Sequence, residues 1–243
     1  RPARGRLYRG RIGGERRAPQ VPPRASGRWS CTAPGADDPT LRAQALGELL
    51  LVRYGVVTRG AVEASDVVGG FGLVYRVLAK FEEAGHARRG YFIERLGAAQ
   101  FSTAGAIDRL RRADDSRFAE APPRRALTLA ATDPANPYGA ALPWPEAPGA
   151  HRPGRKAGGL VTLVDGALVL YVERGGKTLL VLDADEAAQR AAARSLADTV
   201  RAARIPNLVI EKANGDYVLG TPIATWLQEA GFVTTPRGLR LRP

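Results

Sequence analysis

The stretch 38–96, DPTLRAQALGELLLVRYGVVTRGAVEASDVVGGFGLVYRVLAKFEEAGHARRGYFIERL, decides how the first half of the chain folds. Asp38 followed by Pro39 supplies an N-cap and a proline at the first helical position, and Gly55 stands where a left-handed residue ends a helix. Between them Leu41, Ala45, Leu46, Leu49 and Leu50 form one apolar stripe at helical spacing. Thr58 is expected to cap a short second helix carrying Ala61 and Val62. After a turn at Ser65 and Asp66, a third helix buries Phe71, Val74, Tyr75, Leu78 and Phe81 until Gly85 stops it. His86 to Leu96 reads as an arginine-flanked strand pair. Three short helices and a hairpin in about sixty residues make a winged helix-turn-helix, a plan elaborated for nucleic acid and also used for protein docking.

The solvent face of the third helix offers Arg76 and Lys80 one turn apart, and the wing offers Arg88, Arg89 and Arg95. With Arg59 these are candidate phosphate partners, and Tyr91 is a candidate stacking surface. Base reading normally uses Asn, Gln or a bidentate Arg near the start of the recognition helix, where this chain has Gly69-Gly70-Phe71-Gly72. Sequence-independent binding to the DNA backbone follows. Glu82 and Glu83, at the end of the same helix, oppose deep entry into a groove.

Around this module the charge is uneven. The whole chain carries +12, but residues 1–30 hold nine arginines against one acid, Glu15, whereas 31–150 are balanced at fourteen of each sign and 151–243 hold thirteen against nine. The Arg/Gly/Pro-rich segment 1–37 is therefore a basic linker or a flexible binding arm. The chain opens Arg1-Pro2-Ala3-Arg4 without Met or an apolar leader, which suggests a piece of something longer. Cys31 is the single cysteine, so no internal disulfide forms; it reads as a small buried filler in a reducing, cytoplasmic protein. No apolar run has the length of a membrane span, so no membrane partner is expected.

After the winged helix, taken as 38–112, residues 113–125 read as a linker and 126–243 as a second domain. Leu127 to Ala130 is a strand, followed by a loop without periodicity, ATDPANPYGAALPWP, whose proline-bracketed Trp144 must pack against something. Strands 160–164 and 167–173 turn about Asp165-Gly166, and Gly175-Gly176 leads into a third, 177–182. An Ala-rich helix spans 183–203, with Asp183 and Glu186 as its capping box rather than part of a metal cluster. A hairpin of 207–212 with 216–219 turns about Asn214-Gly215, Thr221-Pro222 caps and starts a last helix, and strands within 232–241 pair about Pro236-Arg237-Gly238. The fold class is α+β: a winged helix-turn-helix followed by a β-rich, barrel-like α+β domain.

Gly27-Arg28-Trp29-Ser30, Tyr54-Gly55-Val56-Val57-Thr58-Arg59, Gly69-Gly70-Phe71, Arg88 to Phe92, Gly97 to Phe101, the Thr132 to Pro145 loop and Pro236 to Leu241 together resemble the C-terminal region of Lhr, the large helicase-related proteins. The resemblance runs from about Gly27 to Pro243. It implies a superfamily 2 ATP-dependent DNA helicase active in DNA repair, with its helicase core upstream and a winged helix and β-rich module here. It also implies self-association and kinship with the AlkZ/YcaQ group of DNA glycosylases. Gly176-Lys177-Thr178 imitates the end of a P-loop, but Tyr171 stands at the first glycine position, so no nucleotide site or other cofactor is expected. The paired glutamines of the AlkZ-like enzymes are absent. Glycosylase chemistry would need a carboxylate beside an aromatic pocket, and only Asp133 with Tyr138 and Trp144 offers both. Three functions stand: an accessory segment that binds DNA, either single-stranded or duplex with a single-stranded tail, a glycosylase using Asp133, and an oligomerisation module.

Overall fold

The computed structural model describes residues 30–35, 37–97, 99–115, 124–203, 205 and 207–242. It divides into a short unit, Arg1–Asp37, and a second unit, Asp38–Pro243. Most of the basic N-terminal segment, including the Gly27-Arg28-Trp29 match, lies outside the described residues. Cys31 is exposed, contrary to the buried filler expected, because residues 30–35 form no helix or strand that could enclose it.

Helix α1 (Pro39–Tyr54) begins as the sequence requires: the Asp38 carboxylate accepts from the Thr40 amide at 2.7 Å, and Gly55, at φ 70°, donates to the Leu51 carbonyl. Its inward face keeps only part of the stripe expected, Leu46 and Leu50. Leu50, Leu51 and Gly47 are buried, whereas Leu41 and Leu49 are more than half exposed. The wall against α3 (Gly70–Glu83) explains the choice, since a Cβ on Gly47 would come within 2.9 Å of Val77 and the helices close at that point.

Strand β1 (Val56–Val57) and helix α2 (Arg59–Ala64) follow, with the Thr58 hydroxyl accepting from the Ala61 amide at 3.2 Å. Val74 and Leu78 of α3 are buried, and Phe71, Tyr75 and Phe81 pack at the edge of the same core. The wing differs from expectation. Strand β2 (Arg88–Gly90) ends before Tyr91, and its partner is β3 (Gln100–Ser102), which lies between β1 and β2. Residues 91–97 are an irregular loop because the Gln100 amide takes up their backbone groups. Helix α4 (Ala104–Asp115) completes the module.

The second half is built on an open six-stranded sheet. Its members are β4 (Ala126–Ala130), β5 (Leu160–Val164), β6 (Ala167–Val172), β7 (Thr178–Val181), β9 (Lys212–Ala213) and β10 (Asp216–Tyr217), in the order β10-β9-β7-β6-β5-β4. The Asp165-Gly166 turn has positive φ at both positions, 49° and 87°, as a type I′ hairpin needs. A separate three-stranded sheet joins β11 (Val233–Thr235), β12 (Gly238–Leu241) and β8 (Leu208–Ile210). The barrel is therefore not formed among the described residues. The single strand expected over 207–212 is divided: Leu208–Ile210 pairs with β12 and Lys212 with β7 in parallel, so the chain leaves one sheet for the other instead of closing either.

Each face of the large sheet is covered by a different element. Val164, Val172 and Leu179 face helix α5 (Glu186–Ala202), whose Ala188, Ala192, Ala193 and Ala197 let it lie close. The N-cap of α5 is Asp185, not Asp183: Asp185 accepts from the Ala187 amide, while Asp183 turns back to the Asp185 amide. Helix α6 (Ile223–Glu229) closes the same core, and Thr221 ends the preceding 3-10 turn by donating to the Val218 carbonyl rather than capping α6. Between sheet and α5, the Thr128, Thr162 and Ser195 hydroxyls form a chain at 2.9 and 3.0 Å.

The other face, Val161, Leu163, Leu168, Tyr171 and Leu180, is covered by the 132–145 loop. Trp144 stacks on Tyr138 and meets Tyr171 edge-on, with ring centroids 6.3 and 5.8 Å apart. Asn136 is buried and bonds the Ala131 carbonyl and the Tyr138 amide, and the Arg155 guanidinium donates to the carbonyls of Thr132, Asp133, Asn136 and Tyr138. Gly139, at φ 72°, lies against the Trp144 indole, where any Cβ would collide. Gly139→Ala should therefore lower stability by about 3 kcal/mol in urea unfolding, from strain and overpacking together. Burial, reinforced by the nearby Glu173 carboxylate, pushes the Tyr171 phenol above its ordinary 10.0. The neutral phenol is thus favoured in the fold, and its contribution is complete below pH 10 and lost as pH rises through the raised value. Melting in the alkaline range should fall more steeply in the native chain than in Tyr171→Phe.

Candidate nucleic-acid interface

The side chains singled out in the winged helix form two rows on α3. In the first, the Arg59 guanidinium lies over the Phe71 ring, 5.0 Å from its centroid, and Phe71 meets Tyr75 edge-on at 6.1 Å. The Tyr75 hydroxyl accepts from Arg89 at 2.7 Å, and Arg89 also reaches Glu82 at 3.3 Å. This row brings Arg59, from helix α2, and Arg89, from the wing, onto one face of one helix. The positions 71, 75 and 82 place their side chains there because they recur at helical spacing.

The second row is Gly72, Arg76 and Lys80. Lys80 pairs with Glu83 at 2.7 Å, both side chains being exposed. Arg76 is exposed and forms no ion pair or hydrogen bond among the described residues. Arg88, next to Arg89 on β2, points to the opposite face of the strand and is likewise exposed without an ion pair among the described residues. Arg59, Arg89 and Lys80 thus have partners within the chain, while Arg76 and Arg88 have no ion pair among the described residues. Pairing of exposed charges contributes only about 0–1 kcal/mol, so phosphate competes for the engaged groups as well. Glu82 and Glu83, expected to repel phosphate, lie within ion-pair distance of Arg89 and Lys80.

The wing loop owes its shape to a residue the sequence reading passed over. Gln100 is fully buried; its carbonyl oxygen accepts from the Phe92 and Ile93 amides at 3.0 and 2.9 Å, and its amide nitrogen donates to the Ile93 and Gly97 carbonyls at 2.8 and 2.7 Å. The only hint in the sequence is a polar residue beside Phe101 at the end of a glycine-containing loop. Tyr91 projects from this loop, 61% exposed, with its hydroxyl accepting from the Arg95 amide at 2.9 Å.

Asp133 lies apart from these residues. Its carboxylate accepts from the Ala135 amide at 2.8 Å in an Asx turn, while Tyr138 and Trp144 are packed against the sheet. A cleft of about 480 Å³ elsewhere in this half is lined by Glu146, Asp183, Asp216 and Ile223, among others. Among the described residues no group of three His, Cys, Asp or Glu is placed to hold a metal, and no helix is long and apolar enough to cross a membrane.

Comparison with known proteins agrees with the winged-helix fold. Residues 36–122 match the family model described as the winged-helix domain of the large helicase-related protein. The chain is 54% identical over 227 residues to a Mycolicibacterium smegmatis protein named "Lhr helicase/ probable uracil glycosylase", a match covering 90% of this chain and 15% of that protein. It is 37% identical, over an alignment of 245 residues, to the Escherichia coli "Lhr helicase/uracil glycosylase", covering 96% of this chain and 16% of that protein. The chain therefore spans about one sixth of the length of these relatives. Residues 36–122 thus carry the winged-helix domain of the large helicase-related proteins, and the similarity to these two relatives continues beyond it over most of this chain.

Proposed function

We propose that this chain is the C-terminal accessory segment of an Lhr-type ATP-dependent DNA helicase working in cytoplasmic DNA repair, and that it grips the DNA backbone without strong sequence preference. The observation that carries the reading is the α3 and wing surface, where Arg76 and Arg88 have no ion pair among the described residues and Arg59, Lys80 and Arg89 are exposed beside them, while the helix begins Gly69-Gly70 with no side chain suited to base edges. The ATPase core belongs to the remainder of the polypeptide, and the segment itself works without a cofactor. Anisotropy of labelled DNA across a salt series tests this. The change of Arg76, Lys80, Arg88 and Arg89 to Ala should flatten the log–log salt slope by about 0.9 for each phosphate contact removed. An unchanged slope would place the contact elsewhere and overturn the reading.

The names of both relatives favour a second reading, uracil excision by this segment. Its candidate base is Asp133. Asn keeps the side-chain oxygen that holds the Asx turn, so Asp133→Asn should abolish release of uracil from DNA while leaving the melting temperature unchanged; full activity in that variant would remove Asp133 from the chemistry. Self-association is favoured by one feature, the outward face of α1 with Leu41, Leu49 and Val52 exposed. Light scattering should then show a defined oligomer that Leu49→Glu with Val52→Glu reduces to monomers.

A further inference from the structure

The wing loop is built before any ligand arrives. Its four anchoring hydrogen bonds all come from the buried Gln100 amide, and Phe92 lies over Gly90, where a Cβ would approach the ring to 2.9 Å. Arg95 adopts φ 63°, a conformation few residues with side chains take, and from there its amide holds the Tyr91 hydroxyl. The result is a large aromatic ring turned to solvent on a fixed loop. The other aromatic residues of the winged helix, Tyr54, Phe71, Tyr75, Phe81, Phe92 and Phe101, are all partly or fully buried. Arg88 and Arg95 flank the ring in sequence, both exposed and without ion pairs among the described residues.

A phosphate backbone gains little from an exposed ring, and a base within a duplex offers none of its face. An unpaired base does offer a face, and stacking on it tolerates any sequence. We propose that loop 91–97 is a preformed stacking platform for an unpaired base, with Tyr91 as the contact, Arg88 and Arg95 on the adjoining phosphates, and Gln100 as the positioning residue. The platform would be the point at which this segment touches the single-stranded or tailed DNA expected of it. The proposal rests on the DNA-binding reading above and specifies its point of contact.

The test uses the 243-residue chain with two fluorescent probes of equal phosphate number, an oligothymidine strand and a blunt duplex. Tyr91→Leu should weaken single-strand binding about tenfold and leave duplex binding within about twofold, without changing the salt slope, because stacking is lost but no phosphate contact. Tyr91→Phe should retain most of the affinity, as the ring survives. Gln100→Leu should reproduce the loss seen in Tyr91→Leu; if it fails to fold, the two Tyr91 variants decide, since that side chain is exposed. Equal losses on both probes, or no loss on the single strand in Tyr91→Leu, overturn the platform, and a salt slope that still flattens on changing Arg76 and Arg88 shows that the DNA-binding reading survives it. Absence of binding to either probe by the native chain overturns both.

Discussion

Three consecutive buried residues, Gln100, Phe101 and Ser102, hold the winged helix together. Their strand is the middle of its sheet, pairing with Val56–Val57 on one side and Arg88–Gly90 on the other. Each side chain makes a different link. Phe101 fills the core beneath Tyr75, with ring centroids 5.5 Å apart, Ser102 donates to the Gly55 carbonyl at the end of α1, and Gln100 folds the loop that carries Tyr91. A buried amide is stabilising only when its donors and acceptors are satisfied, and all the polar groups of Gln100 that face the loop have partners. The positions of Arg88, Arg89 and Tyr91 therefore follow from one short buried strand.

In the second half the governing constraint is a sheet with two apolar faces. A helix of small residues covers one face closely, which is why α5 is rich in alanine on its inner side. The other face has no helix available and is covered by the proline-rich loop instead. Such a loop brings its backbone polar groups near the core, where each needs a partner. Asn136 and Arg155 supply those partners, and the ring cluster of Tyr138, Trp144 and Tyr171 supplies the apolar cover. That division of labour places Asp133 in a turn whose first task is structural.

The charges on α3 show how packing changes the meaning of a residue. Read along the chain, Glu82 and Glu83 oppose phosphate binding and Arg89 and Lys80 promote it. In the folded helix the opposite charges are adjacent, so the surface is a set of short exposed pairs beside Arg76 and Arg88, which have no ion pair among the described residues. The outward face of α1 adds an apolar strip on a different helix, so the module has one basic and one apolar surface.

Local chemistry determined the element boundaries that short-range rules govern. The Asp38-Pro39 start, the Thr58 cap, the turns at Gly55, Gly85, Asp165-Gly166 and Asn214-Gly215 are set by backbone preferences that a few neighbouring residues express by themselves. The winged-helix order and the basic residues of its third helix and wing were legible for the same reason. Only tertiary structure decided which face of α1 is buried, that β3 rather than Tyr91–Ile93 completes the wing, that 208–213 serves two sheets and leaves both open, and that Asp185 rather than Asp183 caps α5. Each of those outcomes depends on partners distant in sequence: Val77 against Gly47, Val56 against Ser102, Leu241 against Leu208. A strand's own residues state that it will pair, but the competition among possible partners is settled only when the whole core is assembled.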